Sequence, residues 1–166
     1  MDSERLAGLV AEMKGQLWLI EKVNVRLQSR IDAGLDTPGQ LDSVAYQIHN
    51  LYCAIEDLLK LVANAFENNI GVGRDWHKVL LLRLSQPIEG IRPALLSETS
   101  WEAMEQLRGF RHLVRHAYGK DIELTQLQVN ITAARELYPL IAQDINTFVS
   151  ELEGADPTAP IELDSK

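Results

Sequence analysis

The sequence holds a single cysteine, Cys53, so no intramolecular disulfide can form, which fits a reducing compartment. No apolar run approaches the roughly 20 residues needed to span a bilayer, which argues against a membrane helix. The start, Met1-Asp2-Ser3-Glu4, lacks the basic residues and apolar stretch of a secretion signal. A cytoplasmic protein is therefore the expectation. Period-two alternation is missing, as are internal repeats and any glycine-rich phosphate loop, which sets aside the strand-dependent nucleotide folds. Basic residues are in deficit, 16 against 24 acids, for a net charge of −8. Taken whole, that balance speaks against a nucleic-acid partner.

What is present is a chain of 166 residues, suited to one domain with a core that needs no disulfide or metal. Its charge is uneven. Five acids (Glu151, Glu153, Asp156, Glu162 and Asp164) face only Lys166 at the C-terminal end, and they account for half of the net −8. A domain over residues 1–153 and an acidic, disordered tail over 154–166 are the expectation. By contrast, residues 108–120 carry Arg108, Arg111, Arg115 and Lys120 with no acid, and two histidines, His112 and His116.

Helical periodicity dominates. Leu6, Leu9, Val10, Met13, Leu17, Ile20, Leu27 and Ile31 form one apolar stripe that stops at Ala33-Gly34. Thr37-Pro38-Gly39-Gln40 then reads as a helix start, with Thr37 capping, Pro38 in the first turn and Gln40 completing a capping box. The second stripe runs from Leu41 to Phe66 through Val44, Ile48, Leu51, Ile55, Leu58, Leu59 and Val62. Trp76 to Leu84 is apolar on most sides and reads as a short buried helix. Pro87, Gly90 and Pro93 mark a loop. A fourth helix begins near Ser97 to Ser100 and fades near Tyr118-Gly119. A fifth runs from about Leu124 to Leu152, with Pro139 inside it as the expected site of a kink. The reading is an all-α, up-down bundle of four long helices and one short one.

The chemistry concentrates in Leu107-Arg108-Gly109-Phe110-Arg111-His112-Leu113-Val114-Arg115-His116-Ala117-Tyr118-Gly119. Five residues along a helix is about 500° of rotation, so Arg111 and His116 flank a shared edge. A guanidinium holds a phosphate through two hydrogen bonds. An imidazole can take a proton from a ribose 2′-hydroxyl near neutral pH. These parts suffice for metal-independent RNA cleavage, in which the 2′-oxygen attacks phosphorus and leaves a 2′,3′-cyclic phosphate and a 5′-hydroxyl.

Arg111-x4-His116-x-Tyr118 resembles the R-x4-H-x-Y motif of the HepT-type ribonuclease toxins of the HEPN superfamily. Phe110 and the pair Leu113-Val114 match the motif's usual setting. Asn50-Leu51-Tyr52 followed by Glu56 is similar to the family's N-x-Y-x-x-x-E stretch, and Trp76-His77 followed by Leu80-Leu81 to a W-H-x-x-L-L element of some branches. The likeness covers most of residues 5–153. It implies a HEPN-like bundle, a homodimer with the two motifs facing a shared cleft, and an endoribonuclease toxin of a type VII-like toxin–antitoxin pair. It also implies an MntA-type nucleotidyltransferase antitoxin that transfers AMP from ATP to the motif tyrosine, here Tyr118. The substrate is RNA, and no cofactor is expected. Arg111 and His116 are the catalytic pair, with His112, Arg115 and Arg108 positioning RNA. The sequence departs from the pattern at His112, where asparagine is usual.

Other readings stand beside these. His112 and His116 have i, i+4 spacing that suits zinc, but no third ligand is evident, so no metal site is expected. Glu56 reads either as a solvated helix residue or as a group that orients Arg111 or Arg115. Asn50 and Tyr52 read either as structural or as cleft wall. His49 and His77 read as packed or surface residues, Trp18, Trp76 and Trp101 as core or interface anchors, and Cys53 as a small buried apolar residue. A catalytically silent HEPN adaptor that dimerises and binds a nucleotidyltransferase is the competing function.

Overall fold

The computed structural model describes residues 3–67, 73, 75–116 and 119–154. They form five helices: α1 Ser3–Asp32, α2 Pro38–Phe66, α3 Trp76–Leu84, α4 Glu98–His116 and α5 Leu124–Glu153. Among the described residues the only β feature is one isolated bridge between Ile88 and Arg92. The all-α bundle of four long helices and one short one is what the periodicity called for.

Local sequence explains the element ends. The Thr37 side chain accepts from the Gln40 backbone N–H, and the Gln40 side chain returns a bond to the backbone N–H of Thr37. Gly34 takes φ 114°, a conformation that costs other residues strain, and it separates α1 from α2. Gly154 closes α5 in the left-handed region. Helix α5 runs through Pro139 without interruption.

Helix α2 is the centre of the bundle and packs against each of the other four. Its stripe from Val44 to Val62 is buried along its length. Met13, Ile20 and Leu27 of α1, Met104 and Leu107 of α4, and Leu137, Ile141 and Phe148 of α5 close around it. Such burial is the principal stabilising term in a bundle of this kind. One expectation is corrected. Helix α3 buries Leu80, Leu81 and Leu84 but leaves Val79 and Leu82 exposed, so it has one apolar face rather than a buried circumference. Of the two readings of Trp18, core or interface anchor, its 56% exposure removes the first.

The loop between α3 and α4 is fastened by a buried arginine. Arg92 pairs with Glu67 at 2.7 Å and donates to the carbonyls of Arg83, Gln86 and Pro93. Glu67 also pairs with Arg83. These bonds tie the C-terminal end of α3 to the end of α2, which fixes how α3 lies beside α2 and α4. No helix of the described residues is long and apolar enough to cross a membrane.

Candidate active site

The last turns of α4 carry Arg108, Arg111, His112, Arg115 and His116, and all five line one pocket of about 490 Å³. The opposite wall is the start of α3, with Asp75, His77 and Lys78. Leu107 and Phe110 are buried on the same helix, and their burial turns the arginine–histidine edge of α4 outward to the pocket. Four side chains of fixed positive charge thus face a single carboxylate, Asp75. The basic cluster legible in residues 108–116 becomes a local electropositive cavity on an acidic protein.

The arginines differ in how they are held. Arg108 is engaged by Glu105 through two bonds of 3.0 and 2.8 Å. Arg111 makes no ion pair among the described residues. Its guanidinium carbon lies 6.0 Å from the Tyr52 ring centroid, and its Nε is buried with no hydrogen-bond partner. A guanidinium that lines a pocket and has no ion pair among the described residues has capacity for an incoming anion. Arg115 and His116 are exposed at the rim. The His112 and His116 rings lie 4.4 Å apart, one turn from each other. Among the described residues no group of three or more His, Cys, Asp or Glu is arranged to hold a metal.

Helix α2 packs behind α4. His49, Tyr52, Cys53 and Glu56 share one face of it at helical spacing. Burial first, then Arg111 and Arg115, hold the His49 imidazole below its ordinary range, so it stays neutral at pH 7. Burial first, then the negative charge of Glu56, push the Tyr52 hydroxyl above its ordinary range. The same two causes raise the Cys53 thiol, against the opposing pull of Arg111. Cys53 is half-buried, with its sulfur 3.6 Å from His49 Nε2. These three groups therefore add no charge to the site, and its field comes from α4 and Lys78.

Glu56 and Asn50 lie apart from the pocket lining. Glu56 is buried and pairs with His77 and with Lys60, the latter at 3.5 Å, rather than with Arg111 or Arg115. Asn50 is half-buried on another face of α2 and does not line the pocket. Tyr118 lies outside the described residues, as does the segment beyond Gly154. The residue that sequence reasoning passed over is His77. It lines the pocket, its Nδ1 bonds the Glu56 carboxylate, and its ring lies on Trp76 with centroids 3.7 Å apart. The Trp76-His77 element marks this residue in sequence, but nothing in the element names Glu56 as its partner.

No curated protein and no solved structure matches the chain. A family model described as HepT-like protein matches residues 43–152, from within the first turns of α2 to the last turn of α5. That span contains α3 and α4 whole, most of α2, all but the last residue of α5 and every described residue of the pocket, and the chain therefore belongs to the HepT-like family.

Proposed function

We propose that this protein is an endoribonuclease that cleaves RNA through its own 2′-hydroxyl and needs no metal. The observation that carries the reading is the pocket itself: Arg111, which has no ion pair among the described residues, shares one cavity with His116. Membership of the HepT-like family, one branch of the generally ribonucleolytic HEPN superfamily, points the same way. RNA phosphate enters the pocket and meets the Arg111 guanidinium. His116 accepts the proton of the 2′-hydroxyl as that oxygen bonds to phosphorus. The P–O5′ bond breaks, the 5′-oxygen is protonated, and the products are a 2′,3′-cyclic phosphate and a 5′-hydroxyl. DNA lacks the nucleophile and is not cut.

In the same proposal the protein acts in the cytoplasm as a homodimeric toxin of a type VII-like toxin–antitoxin pair. An MntA-type nucleotidyltransferase neutralises it by placing AMP on Tyr118. Tyr118 is two residues from His116 in sequence. A nucleotide phosphate there brings bulk and negative charge to the place where RNA phosphate must sit.

His116→Ala is the direct test. Purified variant protein should retain the wild-type melting profile and lose cleavage of RNA at neutral pH, while the wild-type enzyme continues to cut in EDTA. Full activity in the variant would remove the assignment. A wild-type protein that binds its partner yet never cuts RNA would identify the silent adaptor instead. Intact mass after co-expression with the nucleotidyltransferase tests the modification: AMP increments should vanish in Tyr118→Phe.

A further inference from the structure

We infer that His77 is a second catalytic group of this site, the acid that protonates the departing 5′-oxygen, and that Glu56 is its positioning residue. The inference rests on the ribonuclease reading.

Cleavage through a 2′-oxygen requires two proton transfers on opposite sides of phosphorus. One removes the 2′-hydroxyl proton and the other neutralises the 5′-alkoxide. His116 can serve one side at a time. The pocket has two walls, and the wall facing α4 presents His77. An acid placed across the cavity from the base suits an in-line displacement, in which attacking and leaving oxygens lie on opposite faces of phosphorus.

His77 is held as a proton-transfer group needs to be held. Its Nδ1 is bonded to the Glu56 carboxylate, which is itself 4% exposed. The Trp76 ring covers one face of the imidazole, and Lys60 lies 4.7 Å from the centroid of that indole. The side chain is 16% exposed, so it meets the pocket with a small part of its surface. Because Nδ1 is taken, Nε2 is the nitrogen left for substrate, and it makes no hydrogen bond within the described residues. A carboxylate behind an imidazole fixes the ring's orientation and stabilises the imidazolium, as in hydrolytic triads. The charged groups around His77 are Glu56 and Lys60 from α2, Asp75 and Lys78 from its own end of α3, and Arg108, Arg111 and Arg115 with His112 and His116 from α4.

The proposed step balances. The Nε2–H proton passes to the 5′-oxygen as the P–O5′ bond breaks, the imidazole becomes neutral, and solvent restores its proton after product leaves. No co-reactant is needed.

A leaving group that requires no protonation separates this role from a structural one. Two RNA substrates of the same sequence are compared, one with the natural 5′-oxygen and one with sulfur bridging phosphorus and the 5′-carbon. His77→Gln should cleave the oxygen substrate about 10²-fold more slowly than wild type. It should cleave the sulfur substrate at close to the wild-type rate, because a thiolate departs unprotonated. Glu56→Gln should show the same selective loss, smaller in size, and replaces His77→Gln in the comparison if that variant does not fold. Equal slowing on both substrates, or no slowing on either, would overturn the role of His77 while wild type still cleaves and His116→Ala does not. Wild type inert on both substrates, or His116→Ala active on both, would instead bring down the ribonuclease reading and this inference with it.

Discussion

At the scale of single residues, the site turns on geometry more than on charge. Arg111→Lys keeps the positive charge but loses the planar fork that grips a phosphate at two points. Cleavage should fall by about 10²-fold, the loss typical of one transition-state donor, and fold stability should change little. A lysine variant as fast as wild type would show that only the field matters. Cys53 gives a second check, on the α2 face behind Arg111. Burial and the neighbouring Glu56 raise its thiol, so its thiolate should appear only above the ordinary thiol range. The native protein should then react with a disulfide reagent at pH 8 more slowly than a free thiol does, and at the free-thiol rate in denaturant. Fast native reaction would mean that the α2 face is open. The Arg111–His116 pair was legible because it lies within one helix, where spacing alone decides the face. The Glu56–His77 pair was not, because it joins two helices across 21 residues and no pattern in either helix announces it. Neither reading open for Glu56 in sequence, a solvated residue or a group orienting Arg111 or Arg115, names His77.

At the scale of the elements, ends were more legible than burial. Thr37, Pro38 and Gln40 announce the start of α2, and each appears in its cap. Helix α3 was harder, since four consecutive apolar residues do not reveal that only one side has neighbours. The loop after it was opaque for another reason: the burial of Arg92 depends on Glu67, 25 residues away. The start of α4 uses a similar long-range device. Asp144 of α5 accepts from the backbone N–H and the hydroxyl of Ser97, at 3.1 and 3.2 Å. Burial raises the Asp144 carboxyl above its ordinary value, against the pull of those bonds. The folded chain therefore holds that proton more tightly than the unfolded chain. This group's contribution to stability is full below the unfolded carboxyl value and is lost as pH rises through the higher folded one. In Asp144→Asn, which keeps an acceptor oxygen and does not titrate, the fall in urea midpoint over that window should flatten. Identical slopes for the two proteins across acid pH would refute the assignment.

At the scale of the whole molecule, net charge misleads and its distribution informs. A net charge of −8 argues against RNA as a partner, yet the described structure gathers Lys78, Arg108, Arg111 and Arg115 around one cavity. The sequence showed three of these as a run. Lys78 joins them because α3, held by its buried leucines, the Glu56–His77 pair and the Arg92–Glu67 tie, packs beside α4. Such a pocket engages few phosphates, and that number is measurable through salt. Each phosphate neutralised on a single strand contributes about −0.7 to the slope of log affinity against log salt concentration. With Arg108 largely occupied by Glu105, about three cations remain for RNA, so one pocket should give a slope of about −2. Two pockets facing a shared cleft in a homodimer should give about −4 on an RNA long enough to reach both, and still about −2 on a short one. Binding of catalytically dead His116→Ala to short and long RNA, measured across salt alongside its sedimentation mass, distinguishes the cases. A steep slope on the short RNA would mean that phosphates are gripped outside the pocket, on a surface whose acidic balance argues against it. A dimer with equal shallow slopes on both RNAs would mean that its two pockets do not share a cleft.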